Sequence, residues 1–547
     1  MGDARFTPLS TPVTACSGSP GFFICYLRRA QWRANSLNCK IKKSLSRPAF
    51  ENMDILLIIL VCLAVYFPTL RYGLVTDDTR LAAYLQSSGS RLSKYDLKSI
   101  FNFVIGRLYG VGTFIRLLPC PACKGARKIE ILDGKDNKKM PCRRCSGTGN
   151  AWIINYEIEH AFTLLLHTTT CVLIYLAFRS IFPALLYAVH PMALQTSTWL
   201  NGRRYAVNQI IALAIVAGGP VLLPLYFITP SLQVNAIMVP VIFGLPGMLL
   251  VACVIALSWD KVIRPKVADR LKSIVSDDIR KFTPKRIIVI VRSFGFYMSR
   301  MVVPGRAMMI YPILNHWGCT EEDNKQAYAL DAWFALGVGW MAAIVSGMVL
   351  LPQDRWLLAF MGLALLQNCN IIPVTQPIAD RYANMSLIVA VYFIARIAGP
   401  SGSCLLMALY LPCLLDSLRM YRDINAYYDY HGYFNPTDTI ARKFRINWLM
   451  KDTPYQDILG AWNEIKTGLR SHPKDFSFNY QAAICMAQMG DYKMFDHYLA
   501  VAEANHYINQ EPLWRPHLDA LKDQRKLVDR KNIRRVNIPP REFAKTL

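Results

Sequence analysis

The chain has 547 residues, 53% of them hydrophobic and 18% charged, with a formal net charge of +25 and a mean hydropathy of +0.22. That apolar excess excludes an ordinary soluble domain and predicts an all-α polytopic membrane protein. The Lys and Arg gather between apolar segments and in the tails, which points to a lipid bilayer and phosphate-bearing ligands and away from nucleic acid.

Residues 1–52 hold few acids, scattered Ser and Pro, and the basic run RRAQWRANSLNCKIKK. They read as a disordered or spurious extension, with a cytoplasmic tail or transit peptide as alternatives, because FFICYL is too short for a signal-peptide core. At Met53 the composition turns apolar at once, with MDILLIILVCLAVYFPTL. A spanning helix needs about 20 mostly apolar residues. Candidate spans are 53–70, 157–178, 181–198, 205–219, 221–234, 236–257, 287–311, 328–350, 355–374, 383–399 and 402–420, eleven within a membrane domain of 53–425. The basic N-terminal tail and the loop DKVIRPKVADRLKSIVSDDIRKFTPKR belong on the cytoplasmic side by charge bias. Eleven spans then place RYGLVTDDTR, the turn around VHPMALQTSTWLNGRRY, the segment PVTQPIADRY and everything after residue 425 on the extracytoplasmic face.

The first loop opens with adjacent acids, Asp77 and Asp78. Such a pair suits a base that accepts a hydroxyl proton. Because neighbouring carboxylates repel, one can be neutral or turned to a catalytic divalent metal. The plainer alternative is a helix N-cap beside a solvated acid.

Farther along this loop, residues 116–150 carry CPACKGARKIEILDGKDNKKMPCRRCSGTG. Cys120, Cys123, Cys142 and Cys145 form two CxxC knuckles separated by 18 residues, the spacing of one tetrahedral structural zinc site, with disulfides as the alternative. Gly125 and Gly147 follow the knuckles at a common offset, where a tight turn brings backbone amides toward thiolates. The pattern resembles the CxxCxGxG repeats of J-protein chaperones, complete only in the second copy.

His160 and His167 lie seven apart on one helical face and read as interior polar contacts rather than metal ligands. Positive charge for a departing phosphate is available from Arg203, Arg204 and Arg381; the competing reading is that boundary arginines snorkel to headgroups. His190, before Pro191, either hydrogen-bonds a phosphate or ends a helix. No HExxH, Walker or GxGxxG framework is present.

After residue 425 the spans stop. Residues 426–530 read as a helical domain in a TPR-like register: Ala461, Gly468 and Pro473 fit the end of one repeat, and Gly490, Tyr492 and Ala502 fit the next. A generic helical hairpin is the alternative. Residues 531–547 form a basic tail.

The order of GLVTDD, EHAFTLLLHTTTCVLIYLAF, LLYAVHPMALQTSTWLNGRR, FGFYMSRMVVPGRAMMIYP and NIIPVTQPIADRYANMSLIVA resembles that of the transmembrane-and-TPR O-mannosyltransferases and their bacterial relatives, polytopic glycosyltransferases of the GT-C type. The resemblance implies an enzyme of the bacterial inner membrane or endoplasmic reticulum. It would take a sugar from a polyprenyl-phosphate donor and pass it to an extracytoplasmic protein or glycan acceptor. It also implies catalysis by Asp77 or Asp78, donor-phosphate binding by His190, Arg203, Arg204, Arg381 and Tyr382, and a possible protein partner at the TPR-like domain. The knuckle insert departs from that pattern. Two other classes fit the composition: a non-catalytic scaffold binding proteins through the knuckle and the C-terminal helices, and a polysaccharide transporter or flippase. Acids clustered at one face rather than in mid-membrane disfavour a transporter.

Overall fold

The computed structural model describes residues 48–73, 75, 115–119, 128–133, 136–141, 150–154, 156–218, 283–303, 305–308, 311, 327–371, 378–434, 439–450, 457–504, 515, 518–523 and 525. The chain divides into a unit of Met1–Leu57 and a unit of Ile58–Leu547. Of the first unit, only the opening turns of helix α1 (Pro48–Tyr66) are described.

Among the described residues, four helical stretches are long and apolar enough to cross a membrane: Glu51–Arg71, Tyr156–Phe178, Ala332–Leu350 and Asn384–Tyr421. They contain α1 with its 3-10 extension Phe67–Arg71, α2 (Tyr156–Phe178), α7 (Ala332–Leu350) and α9 (Asn384–Leu418). α7 presents Leu336, Val338, Val345, Val349 and Leu350 outward, an apolar surface that suits lipid better than water. The last stretch covers two of the spans expected from sequence. α9 leaves helical geometry at Gly399, where φ is +66°, just before Pro400. Glycine tolerates that φ, and proline has no amide to continue the helical ladder.

The segment 181–198, expected to be one span, is not one helix. α3 (Ile181–Val189) stops at His190, and a 3-10 turn (Pro191–Ala193) and the short α4 (Leu194–Ser197) follow. The HisPro dipeptide explains the break, since a residue before proline is pushed out of the α region. His190 is extended, with φ −75° and ψ 126°. Residues 183–200 are all buried, so this irregular backbone is enclosed by protein. α5 (Arg203–Gly218) and α8 (Arg355–Leu366) are shorter apolar helices.

α6 (Pro284–Val302), in the expected span 287–311, is not among the four long apolar stretches and carries Arg286, Arg292 and Arg300. Arg292 is buried and pairs with Asp331, the N-cap of α7, at 2.6 Å. α6 and α7 cross closely because Gly295 and Gly337 meet there. A Cβ on Gly295 would strike the Trp333 carbonyl and the Gly337 backbone, and one on Gly337 would strike the Val291 carbonyl.

The expected all-α class is modified by four short strands in the first loop: β1 (Ile115–Pro119), β2 (Lys128–Asp133), β3 (Asp136–Pro141) and β4 (Asn150–Ile154). β1 pairs antiparallel with β4, Pro119 opposite Asn150, and β2 with β3, Lys128 opposite Pro141. Segments 120–127 and 142–149 therefore each connect one ladder to the other.

Toward the C-terminus lie α10 (Ile424–Phe434), α11 (Thr439–Leu449), α12 (Ile458–Ser471), α13 (Phe476–Met489) and α14 (Tyr492–Ala504). The last four share one apolar core with Leu518 and Leu521, built around Ile465, Phe476, Phe478 and Phe495. Asp457 and Asp475 cap α12 and α13 through their side chains, and Gly490 ends α13 at φ +82°. Burial pushes the Asp475 carboxyl up, but the Lys443 ammonium at 2.7 Å outweighs it and holds the pKa below the usual carboxylate range.

Candidate functional site

The segment Ala379–Asn384 is where the structure concentrates positioning contacts. Each hold comes from a different part of the chain. Tyr297 of α6 clamps Ala379, receiving its amide at 3.0 Å and donating to its carbonyl at 3.3 Å. Tyr311 donates to Asp380 Oδ2 at 2.6 Å. Gln195 of α4 accepts from both the amide and the guanidinium of Arg381, at 3.2 and 3.3 Å. Asn368, just after α8, donates to the Tyr382 carbonyl at 3.0 Å, and Gln209 of α5 to the Asn384 carbonyl at 3.1 Å. Within the segment a 3-10 turn over Asp380–Tyr382 supplies main-chain bonds from Tyr382 to Ala379 and from Ala383 to Asp380, both at 3.0 Å, and the side chains fix that turn against the rest of the chain.

Asp380 is fully buried. Burial pushes its pKa up to about 6, against the opposing pull of Arg300, the Tyr311 hydrogen bond and Arg381. Its Oδ1 has no hydrogen-bond partner among the described residues. The Tyr311 hydroxyl is saturated: it receives the Met308 amide and Arg300 Nη2, both at 3.0 Å, while donating to Asp380. Arg300 Nη2 also reaches the Gly305 and Arg306 carbonyls at 3.2 and 2.7 Å. Arg381 lies over the rings of Trp199 and Tyr382, 5.2 and 4.7 Å from their centroids, and donates to the Tyr382 hydroxyl at 3.2 Å. The charges of the Arg300 guanidinium, which reaches Asp380 through the Tyr311 hydroxyl, and of the Arg381 guanidinium both act on this one carboxylate in a largely buried setting. Aromatic faces hold one of those groups in place.

The other residues expected from sequence separate into groups. Asp77, Asp78, Cys120, Cys123, Cys142 and Cys145 lie outside the described residues. Tyr382 is half-buried beside Arg381, and Arg204 sits on α5 with its side chain outside the description. Arg203 is fully buried in an ion pair with Glu159 of α2 and donates to Thr163 Oγ1 at 2.8 Å. It braces α5 against α2, and the geometry supplies no argument for a phosphate role there. His190 accepts the Met192 amide at Nδ1 and faces the Met301 carbonyl through Nε2, both at 3.1 Å, so the ring is a neutral tautomer that ties α3 to α6. Of its two expected roles, the structure displays the helix end.

Sequence reasoning missed Asp380, Gln195, Arg300 and Tyr311. All four lie inside the quoted blocks ADRY, HPMALQTSTW and FGFYMSRMVVPGRAMMIYP, but their convergence is tertiary. Comparison with protein-family models, curated proteins and solved structures finds no match for this chain.

Proposed function

We propose that this protein is an integral-membrane glycosyltransferase of the GT-C type with about eleven spans. It moves a sugar from a polyprenyl-phosphate donor to a protein or glycan acceptor on the extracytoplasmic side of a bacterial inner membrane or the endoplasmic reticulum. Arg381, with Tyr382 beside it, holds the donor phosphate; Asp77 or Asp78 takes the acceptor proton. The observation that carries this reading is the segment Ala379–Asn384 between α8 and α9, which carries Asp380 and Arg381 and is held by side chains from five other parts of the chain. A leaving phosphate is stabilised by cationic donors that need no rearrangement as charge develops, and a clamped guanidinium meets that requirement.

In the same reading, Cys120, Cys123, Cys142 and Cys145 hold one structural zinc. The strand register supports this, because both knuckle segments run between the same two ladders. The C-terminal helices are a TPR-like surface for a protein partner, supported by Ala461 and Ala502 in the shared core and by the left-handed Gly490 between α13 and α14.

The test is release of sugar from a radiolabelled polyprenyl-phosphate donor by purified protein. Asp77→Asn or Asp78→Asn, and separately Arg381→Ala, are expected to lower turnover at least tenfold. No sugar release by the wild-type protein would remove the enzyme reading and leave a scaffold, and wild-type turnover in all three variants would remove these residues from the chemistry.

A further inference from the structure

Away from the loop cluster, Cys62 of α1 and His167 and Cys171 of α2 converge, with their potential ligand atoms all within 4.8 Å of one another. All three are buried, and both cysteines are free thiols. His167 and Cys171 are one helical turn apart on one face of α2, which brings His167 Nε2 to 3.8 Å from Cys171 Sγ. Cys62 completes the triangle from the neighbouring helix, interacting with Cys171 and with the Thr168 side chain. The imidazole is held between the Tyr66 and Tyr187 rings, with centroids at 4.8 and 5.7 Å, and reaches the Ala188 carbonyl, which also accepts the Tyr66 hydroxyl at 3.0 Å. A ring locked in this way, with a carbonyl to take its N–H, is the usual outer shell of a metal-bound histidine.

We propose that Cys62, His167 and Cys171 form a zinc site within the membrane domain. Two thiols each lose a proton to the medium and bind Zn2+ as thiolates, while the neutral imidazole adds the third ligand. The product carries no net charge, which a buried site between spanning helices requires. Zinc–sulfur bonds of about 2.3 Å and zinc–nitrogen bonds of about 2.0 Å put neighbouring ligand atoms about 3.5 Å apart. The observed ligand atoms, all within 4.8 Å of one another, would have to draw in to that spacing around the ion. Three protein ligands leave one of zinc's usual four positions to a small ligand such as water. The bond would tie α1, which leads into the loop of Asp77 and Asp78, to α2. The expected reading of His167 as an interior polar contact describes its surroundings; the proposal adds a ligand to it.

The experiment measures zinc per chain by mass spectrometry on full-length protein in detergent, in a Cys120→Ser/Cys142→Ser background that silences the knuckle. One zinc per chain is expected there, falling to none on adding Cys62→Ala and Cys171→Ala, while Cys369→Ala changes nothing. Cobalt loading of the same background should give thiolate-to-cobalt charge-transfer absorption, which Cys171→Ser should cut by about half. His167→Gln, a variant that keeps both thiols and so guards against misfolding, should weaken zinc retention at least tenfold in a chelator competition. Absence of metal in the knuckle-silenced protein overturns the proposal. So does zinc that survives loss of both cysteines, cuprous ion bound in its place, or thiol titration that finds Cys62 and Cys171 joined as a disulfide.

Discussion

At the scale of residues, Asp380 is the group whose chemistry is most exposed to test. Its carboxyl is raised to about 6 chiefly by burial, and it faces Arg300, Tyr311 and Arg381. The folded protein holds this proton more tightly than the unfolded chain. The stability it contributes is therefore present below the ordinary carboxylate range and lost as pH rises through about 6. The functional consequence has the opposite sense. Only the ionised carboxylate offers a negative charge to Arg300 and Arg381 while accepting the Tyr311 hydrogen bond. On the proposed function, sugar transfer should therefore fall as pH drops below about 6, and Asp380→Asn should give a lower rate that is flat from about pH 5 to 7. A wild-type acid limb retained in Asp380→Asn would assign it to another group. Arg381 is singled out in sequence because ADRY falls in a block that resembles the O-mannosyltransferases and a guanidinium suits a departing phosphate, whereas a boundary position alone points to snorkelling. Asp380 is not singled out, because its importance lies in Tyr311 and Arg300, brought from upstream by packing.

At the scale of elements, the pairing of α6 and α7 depends on two glycines that nothing in composition singles out. Gly295 and Gly337 let backbones touch, and a methyl group on Gly295 must displace main chain rather than a flexible side chain. Gly339, two residues on in α7, has nothing within 4 Å of where its Cβ would be. Gly295→Ala should cost about 1–3 kcal/mol through overpacking, read as a lower Tm in detergent, with Gly339→Ala close to wild type. Equal effects at the two positions would mean that the close crossing does not limit stability. The element scale also separates what sequence made readable from what it hid. Long apolar runs predicted α1, α2 and α7, because lipid imposes length and composition directly. The 181–198 region satisfied the same composition but breaks at His190–Pro191, and its backbone is accommodated by burial. The zinc ligands proposed in α1 and α2 had no motif to announce them, since Cys62 and His167 are separated in sequence by the entire first loop.

At the scale of the whole molecule, the proposed chemistry depends on sidedness. The Asp77–Asp78 loop, the clamped Asp380–Arg381 segment and the C-terminal helices must share one compartment, because an acceptor hydroxyl, its base and the donor phosphate have to meet. Charge bias places the basic stretch around 261–286 on the opposite, cytoplasmic side. Crossing parity then makes a definite prediction. If eleven spans lie between residues 53 and 425, ten crossings separate the first loop from the C-terminal domain, and an even number returns the chain to the same side. Single cysteines introduced at Ser88, Ser273 and Lys545 in a cysteine-depleted, activity-checked protein can be probed with a membrane-impermeant maleimide in sealed vesicles. Ser88→Cys and Lys545→Cys should label together, and Ser273→Cys only after permeabilisation or from the opposite face. Labelling of Ser88→Cys and Lys545→Cys from opposite faces would make the number of crossings between them odd. The charge-derived topology would then fail, and with it the reason for placing the C-terminal helices beside the reaction.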